Sequence, residues 1–337
     1  MNRVKLTDVA KEAGVHPGTA SRALNPAARS GVSKQTVRRV EQAAARLGYV
    51  PNSLARGLRT SRSYVVALVI PDITNPLFPP IVRGAEHVLS RAGYTLVLTD
   101  TNNDPVVERS QIASMRARGV DGFIVATARW QDPVVADLAD SGVPTVCVNR
   151  QTQEGSLPFV GPDDRRGMSL CVAHLAEQGH RQIVHMAGPT DTSTGRQRAE
   201  AFREAMREQR LPLRGSVQPC AAYTEDAGAR TAERLLRGRH RFTAVVAAND
   251  LLAIGAMERL SAAGLSVPGD VSVTGFNDIG FMSRLTPGLT TVRVPLTAMG
   301  QHAAQTLLAW IEGRGSSYHN QTLLPVELMV RGTTGPA

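Results

Sequence analysis

Apolar residues in the first 50 positions recur at the spacing of three short amphipathic helices. Gly14 ends the first helix, and a second helix is predicted from about 16 to 24. Ser33 is a suitable N-cap for a third helix, whose apolar residues recur until Gly48 ends it. The apolar face of the first helix consists of Leu6, Val9, Ala10 and Ala13. We expect these helices to form a self-contained bundle.

The segment after the bundle has the features of a hinge. Pro51 can open a helix, because its missing N–H would lack a partner in the first turn in any case. A helix from there to Leu58 has one to two turns and is too short to be stable alone in water. Gly57 and the polar residues 60–63 loosen the end of this segment. We therefore predict a hinge that folds only when something holds it.

From Tyr64 onwards, short apolar runs alternate with stretches of helical spacing. The predicted strands cover 64–71, 95–100, 121–127, 143–150, 182–188, 218–222, 244–250 and 271–276. The predicted helices cover 78–94, 105–120, 168–179, 196–209, 227–238 and 251–264. This alternation predicts an α/β fold of parallel sheets with helices on both faces, and a second series beginning near Gly161 predicts two lobes. A small ligand is expected between the lobes, at the carboxyl ends of the strands.

Two short helices joined by a glycine turn, over residues 4–25, are typical of the DNA-binding helix-turn-helix, whose second helix enters the major groove. The charge distribution supports this interpretation. The chain has 38 Lys+Arg and 29 Asp+Glu, and residues 1–62 hold 12 of the basic residues but 3 of the acidic ones. The net charge of +9 therefore comes from the N-terminal segment, which suits a nucleic-acid partner. A basic disordered tail is the alternative, but it would not show helical periodicity.

Length and composition limit the other possibilities. The 337 residues are enough for two or three domains of roughly 150 residues each. No run of about 18 apolar residues predicts a membrane span, and the N-terminus lacks the apolar core of a secretion signal. Cys147, Cys171 and Cys220 are far apart and odd in number, which indicates buried thiols. We expect a cytoplasmic protein.

Motifs along the whole chain resemble those of the lactose-repressor (LacI) family of bacterial transcription regulators. The head carries V-x-L-x-DVA-x-x-AGV-x-x-x-TxSRxLN, and the next segment carries Y-x-PN-x-x-A-x-x-L. The body carries PDITNPLF, GHRQIVHMAGP, AANDLLAIGAM, GDVSVTGFND and LTTVR. The resemblance covers residues 4 to about 335. It implies a transcriptional regulator, most simply a repressor, that binds a pseudo-palindromic operator as a homodimer and takes a small effector, such as a sugar, a related polyol or a nucleobase.

The resemblance also implies domain boundaries. It predicts a helix-turn-helix domain over 1–50, a hinge helix and linker over 51–63, and an effector-binding and dimerisation domain over 64–337. In the family the two lobes are interleaved through three chain crossings. Here the first lobe would comprise about 64–162 and 292–322, and the second about 163–291 and 323–335.

By this resemblance, Arg22 points at a base, and an arginine that donates twice to guanine is the commonest specific contact. A phosphate contact or a solvated side chain is the alternative for Arg22. The family's variable base-reading positions hold residues that are poor in hydrogen-bond donors here, namely His16, Pro17 and Gly18. We therefore expect site choice to depend on Arg22, His16 and DNA shape.

Further DNA contacts are implied by the same motifs. Leu58 matches the family's wedge leucine, which enters the minor groove and kinks the DNA. Packing of this leucine onto the body is the alternative. The other implied DNA-contacting positions, which include backbone contacts that set the register, are Leu6, Thr7, Thr19, Ser21, Asn25, Tyr49, Asn52, Ala55 and Arg56. A hinge that is helical only on DNA would let effector closure bias operator binding.

Family positions that contact the effector fall on Asp72, Asn75, Phe78, Arg150, Arg198, Tyr223, Asn249, Asn277 and Asp278. Chemically, this set suits a sugar or polyol, because arginine can donate to two vicinal oxygens and an aromatic ring can cover a sugar face. Loop-stabilising hydrogen bonds are the alternative for each single residue. Two departures from the family weaken the transfer of ligand identity, since Asn277 replaces a frequent Asp and Val294 replaces a frequent Gln.

Other arrangements suggest no catalysis or metal binding. The residues Cys171, His174, His180 and His185 fit no known zinc spacing, and the Asp163–Asp164 pair is better explained as a helix cap and a contact at a lobe crossing. No phosphate-binding loop, nucleophile elbow or dinucleotide fingerprint follows a strand, so neither an enzyme nor a cofactor is expected. A solute-binding protein is the rival for the body, but it would not need the basic head. The C-terminus lacks a heptad helix, so we expect a dimer.

Overall fold

The computed structural model describes residues 4–24, 29–49, 62–238, 241–314 and 321–337. It divides into two compact units, Met1–Ser63 and Tyr64–Ala337. The predicted hinge helix from Pro51 to Leu58 lies outside the described residues.

The first unit contains the three predicted helices, α1 (Leu6–Glu12), α2 (Pro17–Leu24) and α3 (Lys34–Leu47). Ser33 caps α3, since its Oγ accepts a hydrogen bond from the Thr36 amide, and Gly48 ends the helix with a φ of 62°. The helices bury a small core of short apolar side chains: Val9, Ala10, Ala13, Ala20, Ala23, Val37, Val40, Ala43 and Ala44. Short side chains let three short helices approach closely enough to exclude water.

The second unit alternates strands and helices. Its strands are β1 (Val65–Ile70), β2 (Thr95–Asp100), β3 (Gly122–Val125), β4 (Thr145–Val148), β5 (Phe159–Pro162), β6 (Ile183–Ala187), β7 (Val217–Pro219), β8 (Ala244–Ala247), β9 (Ser272–Asn277), β10 (Thr290–Arg293), β11 (Gln321–Leu324) and β12 (Glu327–Met329). Its helices are α4 (Phe78–Arg91), α5 (Pro105–Ala117), α6 (Pro133–Asp140), α7 (Asp164–Glu177), α8 (Ser193–Glu208), α9 (Glu225–Arg237), α10 (Asp250–Ala262) and α11 (Leu296–Ile311).

The strands form two six-stranded sheets, one in each lobe. The first lobe has the order β11-β5-β4-β3-β1-β2, and all its pairs are parallel. The second lobe has the order β12-β10-β9-β8-β6-β7, in which β12 alone is antiparallel to its neighbour. The chain passes from one sheet to the other after β5, after β10 and after β11. The α/β architecture predicted from the sequence is confirmed.

Several elements differ from the sequence-based prediction. Helices α6 and α11 and strands β5, β10, β11 and β12 were not predicted. Apart from α11, which has 16 residues, each of these elements has at most eight residues and shows little periodicity. Helix α6 nevertheless has a clear local cause, since Asp132 accepts hydrogen bonds from two amides of its first turn and Pro133 follows at the first position. Strand β7 ends at Pro219, three residues before the predicted end.

Glycines set the closest helix approach in each lobe. A Cβ on Gly84 of α4 would collide with the backbone oxygen of Thr297, and one on Gly300 of α11 would collide with that of Ile81. The same relation joins α9 and α10 in the second lobe, through Gly228 and Gly255. These pairs fix how the helices cover the sheets. Among the described helices, none has the length and apolar character needed to span a bilayer.

Candidate DNA-binding face and ligand cleft

Helix α2 presents one buried face and one exposed face. Ala20 and Ala23 are fully buried in the head core. Arg22 and Gly18 are exposed, and Ser21 is half-buried beside them. The predicted base-contacting arginine therefore lies on the face of the helix that a DNA groove can reach.

His16 also shapes this helix. Its Nδ1 atom accepts a hydrogen bond of 3.1 Å from the Gly18 amide, which is a free N–H of the first turn. Because Nδ1 accepts, the proton of the neutral ring resides on Nε2, which is then a donor. The ring thus caps the helix and still offers one donor.

The other predicted DNA contacts have varied surroundings. Thr7 is exposed and Thr19 is half-buried, while Leu6 and Tyr49 pack against the head core. The remaining positions, Asn25, Asn52, Ala55, Arg56 and Leu58, lie outside the described residues.

Two arginines of the head form ion pairs within the head itself. Arg29 pairs with Glu41, and Arg46 pairs with Glu12.

A small polar cleft lies between the two lobes of the body. The first lobe contributes the segments that follow β1 and β4, and the second contributes α8 and the segments at the ends of β7, β8 and β9. These are carboxyl ends of parallel strands, as expected for an α/β ligand site. The lining residues are Asn75, Leu77, Asn149, Arg150, Thr194, Arg198, Tyr223, Asn249 and Asn277.

Two of the cleft asparagines are held by their own turns. Asn75 Oδ1 accepts a hydrogen bond of 3.0 Å from the Leu77 amide, just before α4. Asn249 caps α10, since its Oδ1 accepts a hydrogen bond of 2.9 Å from the Leu252 amide. In both cases the carboxamide oxygen is occupied, so the NH2 end remains for the cleft.

Tyr223 connects the two sides of the cleft. Its hydroxyl and that of Thr194 are 2.9 Å apart. The Arg150 guanidinium lies over the Tyr223 ring, 5.7 Å from its centre. Gly188 makes room for the ring, because a Cβ there would collide with it. Burial lowers the pKa of Arg150, and its Nε atom lacks a hydrogen-bond partner among the described residues.

Arg198 is fixed deep in the cleft. Its Nε donates to Asp164 over 2.8 Å, its Nη1 donates to the Ala248 backbone oxygen over 2.5 Å, and its guanidinium lies 3.8 Å from the centre of the Phe276 ring. Burial raises the pKa of Asp164, while the charge of Arg198 opposes that shift. Asp163 caps α7, as predicted for the Asp163–Asp164 pair.

Asn149 and Asn277 have unusual backbone geometry. Their φ angles are 64° and 114°, and both side chains are buried. Asparagine adopts the left-handed region at modest cost, but a φ of 114° favours glycine. Such backbone strain concentrates at functional sites, which agrees with the position of both residues in the cleft.

Six of the nine predicted effector contacts line the cleft, and three do not. Asp72 accepts hydrogen bonds from Thr74, Phe78 is buried in the core beneath α4, and the Asp278 carboxylate is held by Arg293 and Arg331. Leu77, Asn149 and Thr194 also line the cleft and were not predicted from the sequence. Each of them precedes a predicted contact by one to four positions. This closeness in sequence is the feature from which they could have been predicted.

The two lobes also touch at the mouth of the cleft. The Trp130 amide, in the first lobe, donates a hydrogen bond of 2.6 Å to the Asp191 backbone oxygen in the second. The Arg196 guanidinium lies 5.3 Å from the centre of the Trp130 ring. Nearby, the Gln151 amide donates to Ser193 Oγ over 3.0 Å. We call this group of contacts the latch.

The histidines that the sequence analysis grouped with Cys171, namely His174, His180 and His185, have structural partners. His180 bonds Thr243 through one ring nitrogen and Ser272 through the other. His185 stacks on Phe202 with ring centres 5.0 Å apart, and burial lowers its pKa to about 4. Within the described ranges, no three His, Cys, Asp or Glu side chains are grouped to hold a metal ion.

Comparison with known sequences gives two matches to family models. Residues 5–52 match bacterial regulatory proteins of the lacI family. Residues 172–334 match the periplasmic binding protein-like domain.

Whole proteins and solved structures are also similar to this chain. The ribose operon repressor of Halalkalibacterium halodurans is 33% identical over 98% of this chain and 96% of its own length. The lac repressor dimer, solved with operator and the anti-inducer ONPF, superposes with a TM-score of 0.86 at 27% identity, over 99% of this chain and 100% of that one. A ribose-bound transcriptional regulator from Enterococcus faecium gives 0.71 at 29% identity, over 81% and 99% of the two chains.

Proposed function

We propose that a small effector in the cleft sets the operator affinity of this chain, which belongs to the lacI family of bacterial regulatory proteins and is a DNA-binding transcriptional regulator. The resemblance drawn from the motifs is thereby confirmed. The observation that carries the proposal is that lining residues come from both lobes, including Arg150 from the first and Arg198 from the second. A ligand held by both lobes stabilises one relative angle over others, which is what coupling to a distant site requires.

The proposed organisation has three parts. A DNA-binding head spans 1–50, a hinge spans 51–63, and the effector-binding body spans 64–337. Arg22 contacts a base, and Thr19 and Ser21 contact the backbone of the operator. The other DNA contacts assigned by the motifs are Leu6, Thr7, His16, Pro17, Gly18, Asn25, Tyr49, Asn52, Ala55, Arg56 and Leu58. The protein acts in the cytoplasm, by binding alone, and catalyses no reaction.

The effector contacts proposed for the body are those predicted residues that line the cleft. Asn75 and Arg150 would bind from the first lobe, and the second lobe would contribute Arg198, Tyr223, Asn249 and Asn277. A sugar or polyol suits this polar set, in which a single lining residue, Leu77, is aliphatic. The lac repressor and the ribose-bound regulator support a sugar-like effector by similarity.

A homodimer is proposed to read the two half-sites of the operator. The first lobe has an apolar hollow at its edge strand β2, where Ile73 is 54% exposed and Leu98 is 36% exposed. A second copy of the chain would cover this hollow, and the dimeric lac repressor supports that assignment. Leu98→Arg should then give a monomer in sedimentation velocity, whereas Val106→Arg, at another exposed apolar residue on α5, should remain a dimer.

Selection from random DNA followed by gel-shift titration tests the function. The full chain should select a two-fold symmetric site, and Arg22→Ala should weaken binding to it and relax the preference at one base pair of each half-site by about 1–3 kcal/mol. A compound that raises the melting temperature should also change the operator affinity. Selection of no preferred sequence, or an operator affinity that ignores every compound bound in the cleft, would refute the proposal.

A further inference from the structure

The cleft is unusually rich in hydrogen-bond donors. Of its nine lining residues, none is Asp or Glu, and the charged ones are Arg150 and Arg198. Asn75 and Asn249 use their carboxamide oxygens to cap their own turns, so each offers its NH2 group. A neutral sugar needs acceptors as well as donors, because each hydroxyl can both donate and accept.

The carboxylates nearest the cleft are already engaged. Asp164 accepts from Arg198 and supplies the balancing charge for that guanidinium. Asp278 is bound by Arg293 at 2.8 Å and by Arg331 at 2.7 Å. Asp250 accepts hydrogen bonds from the Thr291 hydroxyl and from the Ile279 amide. None of the three is among the residues that line the cleft.

Arg150 has no carboxylate at ion-pair distance among the described residues, and Asp191, whose negative charge partly opposes the lowering of the Arg150 pKa, is exposed and lies beyond that distance. No ion pair of this side chain is found within the described part of the chain, and its enclosed Nε has no hydrogen-bond acceptor there. The Tyr223 ring beneath it supplies only a π face. Burying an unpaired charge is costly, and an anionic ligand would offset that cost.

Three helices add partial positive charge to the same space. Leu77 stands at the N-cap of α4, Thr194 lies in the first turn of α8, and Asn249 caps α10. All three residues line the cleft. Helix N-termini carry unpaired amides and the positive end of the helix dipole, so they favour anions.

We infer that the effector is an acidic polyol, whose carboxylate or phosphate binds Arg150. The inference rests on the proposed function, in that the cleft is taken as the effector site. The hydroxyls of the polyol then meet the amides of Asn75 and Asn249.

Matched ligands separate charge from shape. Glucose with glucose 6-phosphate and ribose with ribose 5-phosphate are the cyclic pairs, and sorbitol with gluconate and ribitol with ribonate are the open-chain pairs. Each pair is tested on the full chain by thermal shift and calorimetry. Inorganic phosphate at tens of millimolar is the simplest probe. At least one anionic member should bind about tenfold or more tightly than its neutral partner, because hydrogen bonds to charged groups are stronger. The aldonates and the sugar phosphates show which acidic group is recognised.

Arg150→Gln should weaken binding of the anionic member far more than binding of its neutral partner, so that the anionic member loses its advantage. Arg118→Gln, an exposed arginine at the end of α5, is the matched control and should bind like the wild type. Tighter binding of the neutral members, equal anion binding by Arg150→Gln and the wild type, or no stabilisation by any anion including phosphate would overturn the inference.

Gel shifts in the same samples distinguish failure of this inference from failure of the proposed effector control. An operator response to a neutral sugar would contradict the acidic ligand alone, and bound ligand without any operator response would contradict effector control.

Discussion

Arg198 donates a hydrogen bond of 2.8 Å from its Nε to Oδ1 of Asp164, and the two side chains are 3% and 8% exposed. The pair joins α8 to the start of α7, directly beneath the cleft. Because Arg198 also donates to Ala248 and lies over Phe276, its position is set by the protein itself. A ligand therefore meets an arginine that is already aligned and neutralised.

Arg198→Ala should destabilise the body strongly. The substitution leaves the Asp164 carboxylate buried without its partner, which typically costs about 3–5 kcal/mol. Urea denaturation monitored by circular dichroism would measure the loss. Arg165→Ala removes an exposed ion pair with Glu204 and should cost less than about 1 kcal/mol. Equal stability of the two variants would show that Arg198 serves the ligand alone.

The sequence predicted the layout of this cleft better than its chemistry. Strand ends and family motifs located Arg198 and Asn249, because periodicity and local spacing determine where strands stop. They did not indicate that Asp278 is held by two arginines, one of them Arg331, which is more than fifty positions away along the chain. Partnerships between distant side chains depend on tertiary packing, so no local pattern encodes them. The acidic ligand that we propose is inferred from such partnerships and not from any local pattern.

Asp250 should make stability depend on pH. Burial raises the pKa of its carboxyl to about 7, although hydrogen bonds from Thr291 and the Ile279 amide oppose the shift. At a pH between about 4 and 7, the folded state therefore keeps a proton on Asp250 that the unfolded state has released. Its contribution to stability is fully present below about pH 4 and is lost as the pH rises through about 7.

The matching variant is Asp250→Asn, which imitates the protonated acid. Its carboxamide can accept from the Ile279 amide and donate to the Thr291 hydroxyl. Between about pH 5 and pH 8 the wild type should lose roughly 2–3 kcal/mol relative to this variant. Each kcal/mol corresponds to roughly 2–4 °C in melting temperature for a unit of this size. Parallel melting curves for the two proteins across that range would argue against a proton on Asp250.

The latch should favour the closed cleft. Trp130→Ala removes the ring beneath the Arg196 guanidinium, an interaction of about 0.5–1 kcal/mol at an exposed site. Ligand affinity should fall about two- to fivefold, because the binding-competent closed state becomes less populated. Calorimetry on the wild type and the variant would measure the change.

Arg196→Ala should have the same effect as Trp130→Ala, and the double variant should add little, because both remove one contact. In a Trp310→Phe background, Trp130 is the remaining tryptophan, so its fluorescence should shift when a ligand closes the lobes. Full additivity of the two substitutions, or unchanged affinity in both, would mean that the latch does not control closure.

His16 should contribute to DNA binding in two separable ways. His16→Ala removes both the cap on the Gly18 amide and the Nε2 donor, and loss of an N-cap costs about 0.5–2 kcal/mol. His16→Asn can still cap α2 but lacks the reach of the ring. We expect the head to melt at a lower temperature in the alanine variant alone. Both variants should lose operator affinity by about fivefold or more, consistent with one lost base contact.

The affinity is measured by fluorescence anisotropy on the selected operator at two salt concentrations, since a base contact, unlike a phosphate contact, leaves the salt dependence unchanged. Wild-type operator affinity in His16→Asn would restrict this residue to capping and leave Arg22 as the main base contact of the helix.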